Sequence, residues 1–193
     1  MGKSSTATLL RVLKVPVFDS DACVHDLLNG AAIPQIKQAF PSVWSAVHQA
    51  IDRQALGRLV FANPAAKLEL EHILHPLVWA AQQKFIAKCR RAGHQRVVLD
   101  IPLLFETGRN RICDITICVT APDLLQKNRV LSRRGMSSEK YKSILKAQMP
   151  DREKRYLSDF IVQTGLGRAF TLQKLKKRQE RNGILKKTHY WYQ

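Results

Sequence analysis

Met1-Gly2-Lys3-Ser4-Ser5, running at once into the helix-like stretch Ala7 to Leu13, decides how the rest of the chain is read. Gly-Lys-Ser opening a helix is the second half of a phosphate-binding loop. Backbone N–H groups and the helix N-terminus face phosphate oxygens, Lys3 reaches those oxygens, and Ser4 offers a hydroxyl to Mg²⁺. The earlier glycine and the buried strand of the full pattern do not stand before Gly2 in this sequence. Gly-Lys-Ser alone is common by chance, so its weight rests on the residues downstream of it.

Next comes Val15-Pro16-Val17-Phe18, a short apolar run that predicts a strand, ending in Asp19-Ser20-Asp21. Ligands in open α/β sheets bind outside the carboxyl ends of strands, which places Asp19 to meet a substrate; capping of the following helix, Ala22 to Leu28, is the competing use, and falls to Ser20 or Asp21. Residues 31–95 carry helical periods with no clear strand, and Pro76 inside the long segment Pro64 to Arg91 predicts a break or kink at His75-Pro76. An all-helical block between strands suggests an inserted substrate-binding subdomain.

Arg96 to Pro102 is the clearest buried strand, β-branched and stopped by proline, and Leu103-Leu104-Phe105-Glu106 come after it. Asp100 at its end can serve a metal through water or anchor a loop backbone; Glu106 leans towards a structural role. Asp114 to Thr120 alternates into another strand. Ala121-Pro122 then starts a helix through Leu131 that presents Lys127 and Arg129 and leads to Arg133 and Arg134. Arginines so placed suit a lid over transferring phosphate, or form a solvated basic face. Helices are expected through Met149 and over Asp151 to Ser158. A last short strand is expected over Asp159 to Val162, with a final helix after Thr164-Gly165-Leu166-Gly167. The tail from Lys174 to Lys187, closing in Tyr190-Trp191-Tyr192, is expected to fray into solvent rather than grip RNA.

Composition sets bounds on these readings. A chain of 193 residues can bury one substantial core, and no apolar run approaches the roughly 20 residues of a membrane span. Its net charge of +17 is uneven: residues 1–120 carry 14 Lys/Arg against 9 Asp/Glu, residues 121–193 carry 18 against 6. Such an excess favours polyanionic partners, including small molecules bearing several phosphates. Cys23, Cys89, Cys113 and Cys118 match no zinc or redox spacing and read as buried thiols of a reducing compartment. His72 and His75 lack neighbours at a metal-ligand spacing. The opening residues also fit the loose N-myristoylation pattern, against which stands the structured helix beginning directly after them. A secretory signal is opposed by Arg11, Lys14 and Pro16.

Taken in order, the half-loop, VPVFDSD (15–21), LHPLV (74–78), LDIPLLFE (99–106), and Gln148 with Asp159-Phe160 to Gly165 resemble the dephospho-coenzyme A kinase family from Met1 to about Leu175. The resemblance implies a P-loop NTPase-type three-layer α/β/α fold with a parallel sheet, as one domain over 1–193. The core would be 1–29, 96–120 and 159–193, with a helical coenzyme-binding insertion over about 30–95 and a lid over about 121–158. It implies ATP-dependent phosphorylation of the 3′-hydroxyl of dephospho-coenzyme A, with ATP as co-substrate and Mg²⁺, in the cytoplasm, without membrane or nucleic-acid partners. Gly2, Lys3, Ser4 and Ser5 would hold the nucleotide phosphates, with Ser4 on Mg²⁺ and Asp100 on it through water. Asp19 would orient and deprotonate the ribose hydroxyl. Arg133 or Arg134 would stabilise the transferring group. His75, Pro76, Asp100, Leu103, Leu104 and Phe105 would contact the coenzyme substrate.

Against the family pattern the first strand and its glycine turn are missing. The expectation is therefore that Met1 is an internal methionine of the loop, or that the product is inactive as it stands. Two alternatives remain at this point: a nucleoside monophosphate-type kinase, and a non-catalytic basic nucleic-acid-binding protein, whose binding would fall steeply with salt.

Overall fold

The computed structural model describes residues 2–132, 135–181 and 189–192. Contacts divide the chain into two compact units, residues 1–18 with 89–193 and residues 19–88.

The first unit is built on a sheet of five strands in the order β1-β4-β7-β5-β6. These are β1 (Val17–Asp19), β4 (Arg96–Asp100), β7 (His189–Tyr192), β5 (Ile115–Thr120) and β6 (Phe160–Gln163). The pairs β4–β7, β7–β5 and β5–β6 are parallel. Strands β4 and β5 are buried along almost their whole length, as parallel strands covered on both faces must be. Side chains of β5 alternate between two helical layers. Ile115 and Ile117 join Leu9 and Leu10 of α1 (Lys3–Val12), Val98 of β4, Val162 of β6 and Leu175 of α9 (Arg168–Arg181) in one apolar cluster. Thr120, of opposite parity, donates its hydroxyl to Asp151 Oδ2 at 2.8 Å in α8 (Asp151–Leu157). The remaining helices of this unit are α6 (Asp123–Leu131) and α7 (Ser138–Ala147).

The structure corrects the expected solvated tail. His189–Tyr192 is a strand, inserted between β4 and β5 with His189 opposite Arg96 and Trp191 opposite Ile115. Without it the facing backbones of β4 and β5 would lack ladder partners, and a buried N–H or C=O left unmade costs about 1–3 kcal/mol. That cost outweighs the weak local preference of the tail. Residues 182–188, which include Lys186 and Lys187, lie outside the described residues.

The second unit contains α2 (Ser20–Leu28), α3 (Ile33–Ala39), the short strands β2 (Trp44–Ser45) and β3 (Ala50–Ile51), and α4 (Arg53–Ala62). It also holds most of α5 (Pro64–Arg91). Its core gathers Ile36, Phe40, Val43, Ile51, Leu56 and Leu74. The β2–β3 pair was not foreseen; two residues a side leave no alternation to read. Of the break or kink expected at His75-Pro76, the break is corrected. Helix α5 runs through it for 28 residues, because Leu74, Val78, Gln82 and Ile86 repeat every fourth position as one buried stripe. That burial holds the turns on either side of proline, which forfeits one backbone hydrogen bond.

Candidate active site

Helix α1 starts from Gly2, whose φ of 96° lies in the left-handed region that glycine enters without a steric cost. From there the Gly2 carbonyl accepts the Thr6 N–H at 2.9 Å, which closes the first helical turn. Ser4 and Ser5 on that turn are exposed. Lys3 places its ammonium 2.7 Å from Asp100 Oδ1. Asp100 ends β4 and is 4% exposed. The structure thus joins the two residues that the sequence put at the ends of different elements.

The loop after β6 backs this corner. Thr164, 7% exposed, donates its N–H to the Thr120 carbonyl at 2.9 Å and its hydroxyl to the same oxygen at 3.2 Å. A β-carbon at Gly2 would lie 2.8 Å from Thr164 Oγ1, and one at Gly165 would lie 2.9 Å from Pro122 Cδ. Only glycines fit at these two approaches. Thr164 was missed in the sequence, where a hydroxyl residue before glycine looks like any loop. Arg129, grouped there with the lid cations, instead donates to Thr164 Oγ1 at 3.3 Å and to the Thr164 carbonyl at 3.2 Å. Arg133 and Arg134 lie outside the described residues.

Past β4 the chain turns through Leu103, whose φ of 56° is uncommon for a branched side chain. The Thr107 N–H and hydroxyl hold that turn by donating to the Leu103 carbonyl at 3.0 and 2.8 Å. Leu104 is buried, Phe105 half-buried and Leu103 39% exposed, so of the three Leu103 offers most surface. Glu106 is a strut. Its Oε1 accepts the Met149 N–H at 2.8 Å and pairs with Lys154 Nζ at 2.8 Å. Asp159 likewise ties β5 to the start of β6, accepting both the N–H and the hydroxyl of Thr116 at 2.7 Å.

Burial pushes the Glu106 carboxyl upward, but the bonds from Lys154 and Met149 outweigh it and leave the pKa below the usual glutamate value. A carboxylate whose pKa is lowered by folding stabilises the protein above its unfolded pKa, and that contribution fades as pH falls through the folded value. Glu106→Gln is therefore expected to cost about 1.5–3 kcal/mol at pH 7, the range for a hydrogen bond to a charged group. The melting-temperature gap to the parent should close in acid below the folded Glu106 pKa; a gap constant between pH 7 and pH 3 would contradict the strut. Of the four thiols expected to be buried, Cys89 and Cys118 are, whereas Cys23 and Cys113 are half-buried. The Cys118 thiol is pushed up to about 11, first by burial and then by Asp151, and stays a neutral core group.

Asp19, the last residue of β1, falls with His75 and Pro76 in the second unit. Asp19, rather than the expected Ser20 or Asp21, caps α2, its Oδ1 accepting the Ala22 N–H at 3.0 Å. Its extended backbone, φ −102° and ψ 107°, is what a cap needs and what Ser20, already helical, lacks. His75 and Pro76 are both exposed on α5.

Mg²⁺ takes hard oxygen ligands and keeps several waters beside substrate phosphates. The exposed Ser4 hydroxyl and the Asp100 carboxylate are oxygen donors of that kind. Among the described residues no three His, Cys, Asp or Glu side chains gather into a protein-only metal cage. The donors present fit an ion held largely by phosphate.

A family model described as dephospho-CoA kinase matches residues 1–167. The dephospho-CoA kinase of Mesorhizobium japonicum is 48% identical over 167 residues, covering 86% of this chain and 84% of that one. That of Rhizobium meliloti is 44% identical over 176 residues, covering 91% and 90%. Among solved structures, a Thermus thermophilus protein superposes with a TM-score of 0.81 at 32% identity, covering 94% of this chain and 92% of its own. The dephospho-CoA kinase from Campylobacter jejuni superposes with a TM-score of 0.70 at 25% identity, covering 94% and 93%.

Proposed function

The chain belongs to the dephospho-CoA kinase family, and from that membership we propose how its residues divide the reaction. The enzyme is a kinase that transfers the γ-phosphoryl of ATP to the 3′-hydroxyl of dephospho-CoA, giving CoA and ADP. Phosphoryl transfer asks a protein for alignment and charge neutralisation more than for covalent chemistry. Gly2 to Ser5 present the N-terminal N–H groups of α1 to the β- and γ-phosphates. Lys3 exchanges part of its contact with Asp100 for a phosphate oxygen as charge moves towards the leaving group. Asp19 accepts the proton of the ribose hydroxyl. Arg133, or Arg134, neutralises the transferring group. His75, Pro76 and Leu103 contact the coenzyme substrate. When bound, Mg²⁺ supplies further neutralisation, and Ser4, with Asp100 through water, are the residues that would hold it. The setting is the cytoplasm, in keeping with cysteine spacings that match no redox or zinc pattern. Among the described residues no helix is long and apolar enough to cross a membrane.

The observation that carries this division is the 2.7 Å contact between Lys3 and the buried Asp100, which sets a partly exposed cation beside a buried carboxylate at the opening of α1. Its test is ADP release from ATP with dephospho-CoA, set against a panel of nucleoside monophosphates, with Mg²⁺ and after chelation. Saturable turnover with dephospho-CoA alone, abolished by chelation and restored by Mg²⁺, is expected. Equal turnover with a monophosphate, or indifference to chelation, would overturn it.

A further inference from the structure

We propose that Arg129 is a positioning residue for the ATP phosphates, acting through Thr164 on Gly2. The inference rests on the assignment of Gly2 to Ser5 as the phosphate loop. Two guanidinium nitrogens of Arg129 grasp one residue: Nη1 donates to Thr164 Oγ1 at 3.3 Å and Nη2 to its carbonyl at 3.2 Å. A planar fork makes this double contact, and a lysine ammonium does not reproduce it. The same hydroxyl donates to the Thr120 carbonyl at 3.2 Å, so its direction is fixed from both sides. The Thr164 side chain then fills the space beside Gly2, with Oγ1, Cβ and Cγ2 at 2.8, 3.0 and 3.1 Å from where a β-carbon would stand.

Gly2 adopts its left-handed conformation against that wall, and from this conformation the first turn of α1 departs. A different Thr164 rotamer gives Gly2 room to relax, and the N–H groups and Lys3 beyond it lose their aim. The neighbouring contact of Gly165 with Pro122, just before α6, closes the other side of the wedge. Arg129 thus sets the phosphate-binding geometry without touching phosphate, and its loss should fall on ATP rather than on the acceptor.

The test is steady-state kinetics of Arg129→Ala, Arg129→Lys, Thr164→Val, Thr164→Ser and the double variant Arg129→Ala/Thr164→Val, with melting curves for each. Misplacement of binding groups by a fraction of an ångström is expected to raise the KM for ATP about tenfold in Arg129→Ala and Thr164→Val. The KM for dephospho-CoA should stay within about twofold, Arg129→Lys should recover little and Thr164→Ser most. The double variant should be no worse than the worse single one, because both cut one link. An unchanged KM for ATP in Arg129→Ala overturns the proposal. So does an equal rise in both KM values, which a merely structural role gives, or multiplication of the two effects, which puts Arg129 on the nucleotide itself. Should Arg129→Ala fail to fold, Arg129→Lys decides in its place: a raised KM for ATP alone supports the proposal, and an unchanged one overturns it. Lys3→Met, run beside them, separates the two ideas: its indifference would sink the phosphate-loop assignment, whereas a large loss there with no effect at Arg129 sinks only the link.

Discussion

Lys3→Met is expected to lower kcat by about 10²- to 10³-fold, the size seen when one preorganised donor to a developing charge is removed. Lys3 is the first residue of α1, its side chain is 31% exposed, and its ammonium is anchored at 2.7 Å by a carboxylate that is nearly buried. An ammonium held this way is aimed yet still reachable by phosphate, and its attraction grows as charge shifts during transfer, so its removal should strike kcat more than KM. Methionine keeps an apolar stem of similar length and deletes only the charge. Arginine should not rescue, since its broad fork does not act as a point charge at one oxygen. Single-turnover and steady-state ADP release on protein shown to be folded would measure this. Retention of kcat within threefold would remove Lys3 from the phosphate site.

Variants of Asp19 are expected to separate its observed role as a cap from its proposed role as a base. As the cap of α2 it needs only an acceptor oxygen for the Ala22 N–H, which asparagine also provides. As the group that takes the ribose proton it needs a basic carboxylate, which asparagine lacks. Asp19→Asn should therefore lose about 10²- to 10⁴-fold in kcat with an unchanged melting curve, the span of general-base contributions. Asp19→Ala should lose as much activity and also about 1 kcal/mol of stability. Calorimetry beside the kinase assay resolves the two. Activity surviving in Asp19→Asn would leave Asp19 as a cap alone.

How much of the fold and site was legible in the sequence depended on where the information lay. Strands β4 and β5 are dense in valine and isoleucine and are bounded by turn residues, so burial on both faces is written in their own composition. Gly2-Lys3-Ser4 and Asp100 could be placed at element ends, and the structure brings Lys3 and Asp100 into contact. Glu106 could be leaned towards structure, and it is a strut. The misses share a different cause. Thr164 matters through its contact with a residue at the far end of the chain, and Arg129 through Thr164, so neither announces itself locally. Pro76 lost to a buried stripe that continues through it, and Asp19 took the cap from its neighbours through backbone conformation. Arg133 and Arg134 lie outside the described residues, and their role rests on the resemblance.

The place of β7 also orders events in time. Both its neighbours are translated well before residues 189–192 leave the ribosome, and at 5–20 residues per second the gap of roughly 70 residues after β5 lasts several seconds. If β4 and β5 form during that interval, each presents a bare parallel edge towards the place that β7 takes, the kind of surface that recruits other chains. Nascent protein of this sequence should therefore lean on chaperones that shield strand edges. Its yield in a cell should respond more to the speed of late translation than to the stability of the finished fold.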